Sequence, residues 1–270
     1  MRKAENVRKI IIKIGGSVLT DKNKEQLVVR QNVIKRLAKE IKEVKEIGYE
    51  IVLVHGAGSA GHPIVKRYNL RSGLLKEEQK KGVVEVQEKL NELSSKILMG
   101  FLEEDLPLFR ITTSSIVILR NGRIKKIFID SIKRALEHGF IPLLSGDLTF
   151  DEIRKIAVCS GDQLAFEIAK MLDARLIIFG VDVDGIYPTS SLEGELLKEV
   201  SFKELKRLVN KLGGSRGIDV TGGMRGKILE ALLHPWYFKR GGEVWILNML
   251  KEGMLIRAIN GEGIFTRIVP

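Results

Sequence analysis

The chain has 270 residues, a formal net charge of +11 at pH 7, and 44% hydrophobic, 29% charged and 6% aromatic residues. This apolar content suffices for a sizeable core, and no run of about 18 apolar residues is present that would predict a membrane span. Cys159 is the single cysteine. An internal disulfide is therefore excluded, and a reducing, cytoplasmic location is expected.

The positive charge is spread along the sequence. Lys and Arg are mixed with Glu in predicted helices, as in KRLAKEIKEVKE (35–46). Nucleic-acid binders tend to concentrate their basic residues, so we favour a solvated surface biased toward a small anionic substrate and expect no nucleic-acid partner. A nucleic-acid binder stays open as an alternative, and it would associate with DNA or RNA in a steeply salt-dependent way.

Six apolar runs of strand length are separated by stretches of helical period. The runs are IIIKI (10–14), EIVLV (50–54), PLFRI (107–111), FIPLL (140–144), RLIIF (175–179) and EVWIL (243–247). The first run leads straight into a glycine turn, which predicts a strand rather than a signal peptide. Because the strands are apolar throughout and alternate with helices, they predict an α/β fold with a mainly parallel sheet covered on both faces.

Residues 116–129 differ from the other runs. Two short strand-like stretches flank Asn121-Gly122, a two-residue hairpin signal, and predict a β-hairpin that projects from the main sheet. No Pro/Ser-rich linker divides the chain, so we expect a single domain over residues 1–270 with lobes at 1–175 and 176–270.

Three glycine-rich turns are candidate phosphate sites, because glycines let backbone N–H groups converge on an anion. The first is KIGGS (13–17), for which an ordinary strand-to-helix turn is an equal alternative. The second is HGAGSAGHP (55–63), with a helix expected to begin near Gly61. The third is DVTGGMRGK (219–227), where the glycines are expected to precede a helix and Lys227 to lie in its first turn.

Several common sites are absent from the sequence. Gly56, Gly58 and Gly61 satisfy G-x-G-x-x-G, but the second strand and acidic residue of a dinucleotide-binding unit do not follow. Walker A, HRD, DFG, HExxH and paired CxxC motifs are missing, so no dedicated protein metal site is expected. Asp162, in SGD, could cap the helix that follows it or serve a site. His55, His138 and His234 have no predicted partner and are interpreted as structural.

Taken in order, KIGGS, the second glycine-rich turn, SGD, VDVDGIY and GGMRGK resemble the amino acid kinase superfamily from about residue 9 to the final IFTRI. The resemblance implies a three-layer αβα sandwich. HGAGSAGHP and DVTGGM are most similar to isopentenyl phosphate kinases, which carry a histidine at the end of the turn, here His62. The chain departs from that family at Ala60, where an aromatic is usual, and in its more charged DEIRKIAVCSGD stretch.

The resemblance implies specific roles. The catalytic residues would be Lys13, Lys22, His62, Asp162 and Lys227. The residues that contact ATP would be Lys13, Gly15, Gly16, Ser17, Gly58, Gly180, Asp182, Asp184, Gly185, Tyr187, Lys227 and Ala231. The residues that contact the acceptor would be Ala57, Gly61, His62, Gly146, Asp147, Val83 and Val86, with core packing as the alternative for the two valines.

The expected reaction is ATP-dependent phosphorylation of isopentenyl phosphate, with Mg²⁺, in a homodimer whose lobe 1–175 binds the acceptor and whose lobe 176–270 binds ATP. No general base is required, because a phosphate acceptor is already ionised near neutral pH. Fosfomycin, glutamate, UMP and carbamate remain alternative acceptors. A nucleotide-binding regulator without catalysis is a further alternative.

Overall fold

The computed structural model describes residues 8–21, 26–188, 194–212 and 222–270. The strands are β1 Lys9–Ile14, β2 Glu50–His55, β3 Leu108–Arg110, β4 Val117–Arg120, β5 Arg123–Ile127, β6 Ile141–Ser145, β7 Asp147–Asp151, β8 Lys155–Cys159, β9 Leu176–Val181, β10 Glu199–Ser201, β11 Glu243–Asn248 and β12 Thr266–Val269. The helices are α1 Gly16–Leu19, α2 Gln31–Glu46, α3 Gly58–Arg67, α4 Gln79–Leu102, α5 Thr113–Ile116, α6 Asp130–Glu137, α7 Gly161–Leu172, α8 Phe202–Leu212, α9 Gly222–Leu232, α10 Pro235–Lys239 and α11 Met254–Ile259, with a 3₁₀ helix at Leu70–Ser72.

The central sheet has the strand order β10-β12-β11-β9-β1-β2-β6-β3. All neighbours from β11 to β3 pair in parallel, whereas β12 runs antiparallel to β11. Each of the six apolar runs forms one of these parallel strands, so the predicted sheet is confirmed. β9, the first strand beyond residue 175, pairs directly with β1, and the sheet is therefore continuous across the predicted lobe boundary.

Helices cover both faces of this sheet, which confirms the three-layer sandwich. Side chains of a strand alternate between faces. Ile10 and Ile12 of β1 accordingly join the cluster formed with α2, α4 and α11, while Ile11 joins the cluster formed with α7 and α9. Lys13 has the parity of Ile11, so the alternation directs it toward α7.

The predicted hairpin is also confirmed: β4 and β5 pair antiparallel across Asn121 and Gly122, whose φ angles are 51° and 78°. It belongs to a second sheet with the order β5-β4-β7-β8. The β7–β8 hairpin was not predicted from sequence. Its turn is the charged stretch 151–155, and the Asp151 carboxylate there accepts hydrogen bonds from the N–H groups of Asn121, Gly122, Ile153 and Arg154.

Across the described ranges, no helix is both long and apolar enough to cross a bilayer.

Candidate active site

A cavity of about 1090 Å³ opens at the carboxyl ends of the central parallel strands. Its wall includes the turns after β1, β2 and β6 and the segment after β9. Ligands of open α/β sheets bind at this edge, where loops from neighbouring strands meet. The cavity is therefore the candidate site.

Two of the three glycine turns lie against each other in the cavity wall. Gly15 N–H donates to Gly180 O at 2.8 Å, and Gly56 N–H donates to Ile14 O at 2.9 Å. A Cβ on Gly16 would overlap the backbone of Gly58. Close approach of the two turns is therefore a sufficient structural reason for glycine at position 16, whatever the turns also bind.

Three longer helices begin at the cavity. Gly58 opens α3, Gly161 opens α7, and Gly223 lies in the first turn of α9, and all three line the wall. The first N–H groups of a helix have no intrahelical acceptor, and the helix dipole adds positive potential there. The cavity is thus suited to anions.

The helix starts differ from two sequence predictions. Helix α3 begins at Gly58 rather than near Gly61. Helix α9 begins at Gly222, so Gly223 and Gly226 are helical and Lys227 lies in the second turn. Residues 219–221 of the predicted third turn lie outside the described residues.

Asp162 bridges two lysines at the base of the cavity. Its Oδ1 lies 2.8 Å from Lys13 Nζ, and its Oδ2 lies 3.3 Å from Lys227 Nζ. Asp162 does not cap its own helix, because Ser160 is the N-cap and its Oγ accepts from Asp162 N–H at 3.2 Å. Each oxygen of the Asp162 carboxylate therefore contacts one ammonium group.

Burial and charge act in opposite directions on these groups. Burial alone would raise the pKa of Asp162, but the ammonium groups of Lys13 and Lys227 outweigh it and lower that pKa. Burial, aided by the charge of Lys13, lowers the pKa of Lys227 to about 8, although Asp162 opposes the shift. Two cations thus share one carboxylate, which leaves this cluster of three side chains with a net positive charge at neutral pH.

His62 lines the cavity from α3. Partial burial, and then the positive charges of Arg71, Lys13 and Lys227, lower its pKa, so the ring is neutral at pH 7. Val86 and Leu90 of α4 line the same cavity and add apolar surface. This combination provides a hydrogen-bonding ring and apolar surface within one cavity.

Most residues predicted for the site meet at this cavity. Those that line it are Lys13, Gly15, Gly16, Ser17, Ala57, Gly58, Gly61, His62, Val86, Gly146, Asp147, Asp162, Asp182, Gly185, Tyr187 and Lys227. Lys22 lies outside the described residues.

Four predicted residues lie off the cavity wall. Val83 of α4 packs in the core, and Ala231 of α9 is fully buried. Gly180 contacts the first turn through its carbonyl and lies against Met249. Asp184 Oδ1 accepts a hydrogen bond from Asn248 Nδ2 at 3.0 Å and lies 2.7 Å from Lys251 Nζ.

The acceptor-side residue Asp147 is engaged with backbone. Its oxygens accept from the N–H groups of Leu148 at 2.7 Å and Ser114 at 3.2 Å. Burial raises its pKa, and these hydrogen bonds only partly offset the effect. Ala60, where the sequence departs from the resemblance, is fully buried in the core rather than in the cavity wall.

Sequence reasoning missed three charged residues of the cavity wall, namely Arg71, Arg154 and Glu230. Arg71 lies on the 3₁₀ helix, and Arg154 lies in the β7–β8 turn and donates to Asn121 Oδ1 at 3.0 Å. Neither arginine follows a strand directly, and the 3₁₀ helix and the β7–β8 turn carried no sequence signal. Glu230 could have been noticed, because it lies one helical turn after Lys227.

Comparison with known proteins agrees with the family resemblance that the sequence motifs carry. The chain matches the Amino acid kinase family over residues 8–235. It is 35% identical over 263 residues to the isopentenyl phosphate kinase of Methanothermobacter thermautotrophicus, which covers 94% of this chain and 96% of that relative. It is 34% identical to the isopentenyl phosphate kinase of Methanocaldococcus jannaschii, over 93% of this chain and 95% of that relative. A solved isopentenyl phosphate kinase structure superposes with a TM-score of 0.80 and 31% identity, covering 97% of this chain and all of the other.

Proposed function

The chain belongs to the isopentenyl phosphate kinases of the amino acid kinase family, and from this premise we propose that it transfers the terminal phosphoryl group of ATP to isopentenyl phosphate. The products are isopentenyl diphosphate and ADP. One observation carries the proposal: His62, Val86 and Leu90 line the same cavity as the Lys13–Asp162–Lys227 cluster. That cavity offers a phosphate contact, an apolar wall and a cationic centre together.

Catalysis in this proposal is electrostatic. Two anions must approach each other, and negative charge spreads over the transferred group in the transition state. Lys13 and Lys227 supply fixed positive charge, and Asp162 holds both so that little reorganisation is needed. The starts of α3, α7 and α9 add oriented N–H groups to the same field.

The acceptor phosphate needs no base, because it is already ionised near pH 7. The lowered pKa of His62 keeps its ring neutral at that pH, and the ring donates one N–H to the phosphate. Val86 and Leu90 contact the apolar tail of the acceptor. In this proposal His62 binds the acceptor phosphate and takes no proton from it.

Mg²⁺ is proposed to enter with ATP. Within the ranges that the structure describes, no three acidic, histidine or cysteine side chains form a metal cluster. Mg²⁺ commonly keeps its waters and is held by substrate phosphates with few protein ligands, so this donor set fits it. When bound, the ion would neutralise phosphate charge beside the two lysines.

Three further features belong to the proposal. The acceptor binds mainly to residues 1–175 and ATP mainly to residues 176–270. The enzyme is proposed to act as a homodimer in the cytoplasm.

The test is ATP-dependent phosphorylation of a panel: isopentenyl phosphate, dimethylallyl phosphate, fosfomycin, glutamate, UMP and carbamate. We expect isopentenyl phosphate to have the highest kcat/KM. A higher kcat/KM for glutamate or UMP would overturn the acceptor assignment and leave the ATP site standing. ATP binding with no turnover of any acceptor would instead support a nucleotide-binding regulator.

A further inference from the structure

A bidentate ion pair joins the β4–β5 hairpin to α9. Arg123 Nη1 donates to Glu230 Oε2 at 2.7 Å, and Nη2 donates to Glu230 Oε1 at 2.6 Å. The residues are 107 positions apart in sequence. Parallel N–H donors on both carboxylate oxygens fix orientation as well as distance.

Glu230 is held from a second side. Trp236 Nε1–H donates to His234 Nδ1 at 3.1 Å, and the indole N–H can only donate. In the neutral ring, His234 Nε2 therefore carries the proton and donates it to Glu230 Oε1 at 2.9 Å. His234 also stacks on Phe166, with ring centroids 4.4 Å apart and an interplanar angle of 9°. The carboxylate cannot turn away from Arg123 without breaking this set.

Two of these side chains lie on one face of α9, and the third follows its end. Lys227 and Glu230 are three residues apart on α9, so they lie on one side of the helix, and His234 lies two residues beyond the end of α9 at Leu232, as the N-cap of α10. Lys227 meets Asp162 of α7, and His234 meets Phe166 one turn further along α7. Glu230 lies between these two contacts, and its orientation is coupled to how α9 lies on α7.

The β4–β5 hairpin is also hydrogen-bonded to α7. Gln163, the neighbour of Asp162, accepts from Ile124 N–H and donates to Gly122 O at 3.2 Å. Gly122 lines the cavity. The hairpin thus contacts the residue next to Asp162 and the residue one turn after Lys227.

We propose that Arg123 and Glu230 form a positioning pair that holds Lys227 beside Asp162 and couples the acceptor-side hairpin to the helix that carries a phosphate-binding lysine. The inference rests on the proposed function. The Arg123 side chain, on the hairpin, is 45% exposed, whereas the Glu230 side chain, on α9, is only 10% exposed. A change at Arg123 therefore reaches Lys227 through Glu230, without touching substrate.

The experiment compares Arg123→Gln, Glu230→Gln and the double variant with a control, Arg120→Gln. Arg120 lies on the same hairpin and pairs with Glu152 at 3.3 Å, with 62% of its side chain exposed. Each single variant should lose about tenfold in kcat/KM for ATP, the scale of one charge-assisted contact. The double variant should lose no more than the worse single variant, because the two residues act as one unit. The control should retain wild-type kinetics.

Two readouts separate positioning from stability and from the choice of acceptor. Calorimetric ATP binding, measured without any acceptor, should weaken in both single variants even if isopentenyl phosphate proves to be the wrong acceptor. Arg123→Lys keeps the charge at a half-exposed position and should fall between wild type and Arg123→Gln in ATP affinity. Additive losses in the double variant, or unchanged ATP affinity in folded Arg123→Gln, would overturn the proposal.

Discussion

Lys13 Nζ lies 2.8 Å from Asp162 Oδ1, and only 9% and 11% of the two side chains are exposed. Lys227 approaches the other carboxylate oxygen and is 7% exposed. A buried charge without a partner is strongly unfavourable, and two lysines at one carboxylate would repel each other if it were lost. The arrangement therefore makes stability and the proposed catalysis depend on the same residue.

Asp162→Asn should cost about 3 kcal/mol of unfolding free energy, the low end for removing one partner of a buried ion pair. It should also lower kcat by about 10²-fold, because neither lysine stays oriented. Urea unfolding and steady-state kinetics measure the two effects. Asp130→Asn is the control, since Asp130 is exposed in the first turn of α6.

The stability deficit of Asp162→Asn should depend on pH. Without the carboxylate, the native pKa of Lys227 falls further below its value of about 8 in the wild type. Between those two values the native variant binds fewer protons than the native wild type, so its unfolding free energy rises faster with pH. The deficit should shrink as pH approaches about 8, and a deficit that is constant from pH 6 to 8 would contradict this coupling.

The lowered pKa of Lys227 predicts a second pH effect. kcat/KM for ATP reports the free enzyme, and it should fall above about pH 8 as Lys227 loses its proton. Lys227→Ala should lower kcat by about 10²-fold at pH 7, whereas Lys239→Ala, an exposed lysine of α10, should not.

Lys227→Arg tests whether the fall of kcat/KM above about pH 8 is due to Lys227. Arginine stays protonated throughout, so the fall above pH 8 should disappear even if overall activity drops. A limb that persists unchanged in Lys227→Arg would assign the titration to another group.

The sequence predicted the central sheet well, because its strands are apolar on both faces and carry the signal in composition alone. The β7–β8 hairpin was not predicted, because β7 is not a continuous apolar run. Asp147, Thr149 and Asp151 of β7 are buried, while Phe150 between them is 65% exposed. Over residues 149–151 the polar side chains are therefore buried and the apolar one is exposed, opposite to the usual alternation, and the buried carboxylates of Asp147 and Asp151 accept from N–H groups that are distant in sequence.

The sequence motifs predicted which segments form the site, but they did not predict which side chains contact each other there. Lys13, Asp162 and Lys227 each belong to a recognisable segment, but their shared contact exists only once β1, α7 and α9 are packed. Arg123 carries no local signal, since it resembles an ordinary surface charge in the sequence, and Glu230 is indicated only by its spacing from Lys227. Long-range pairing of this kind follows from the topology and cannot be derived from spacing.

Gly16→Ala should destabilise the protein by about 3 kcal/mol, near the upper range for overpacking, because the new methyl group overlaps the Gly58 backbone. Gly226→Ala is the matched control for stability. A methyl group added at Gly226, inside α9, would meet open space, so alanine there should raise the unfolding free energy by up to about 1 kcal/mol. Thermal unfolding measures both, and equal midpoints for the two variants would refute the close-approach argument.

His62→Ala should raise KM for isopentenyl phosphate by about tenfold and leave KM for ATP unchanged, because it removes one hydrogen bond to the acceptor. His62→Gln keeps an N–H donor and should lose less. His138→Ala, at the exposed end of α6, is the control. If His62→Ala weakened ATP and acceptor equally, His62 would be a structural residue of α3. If KM stayed constant and only kcat fell, its contact would form in the transition state alone.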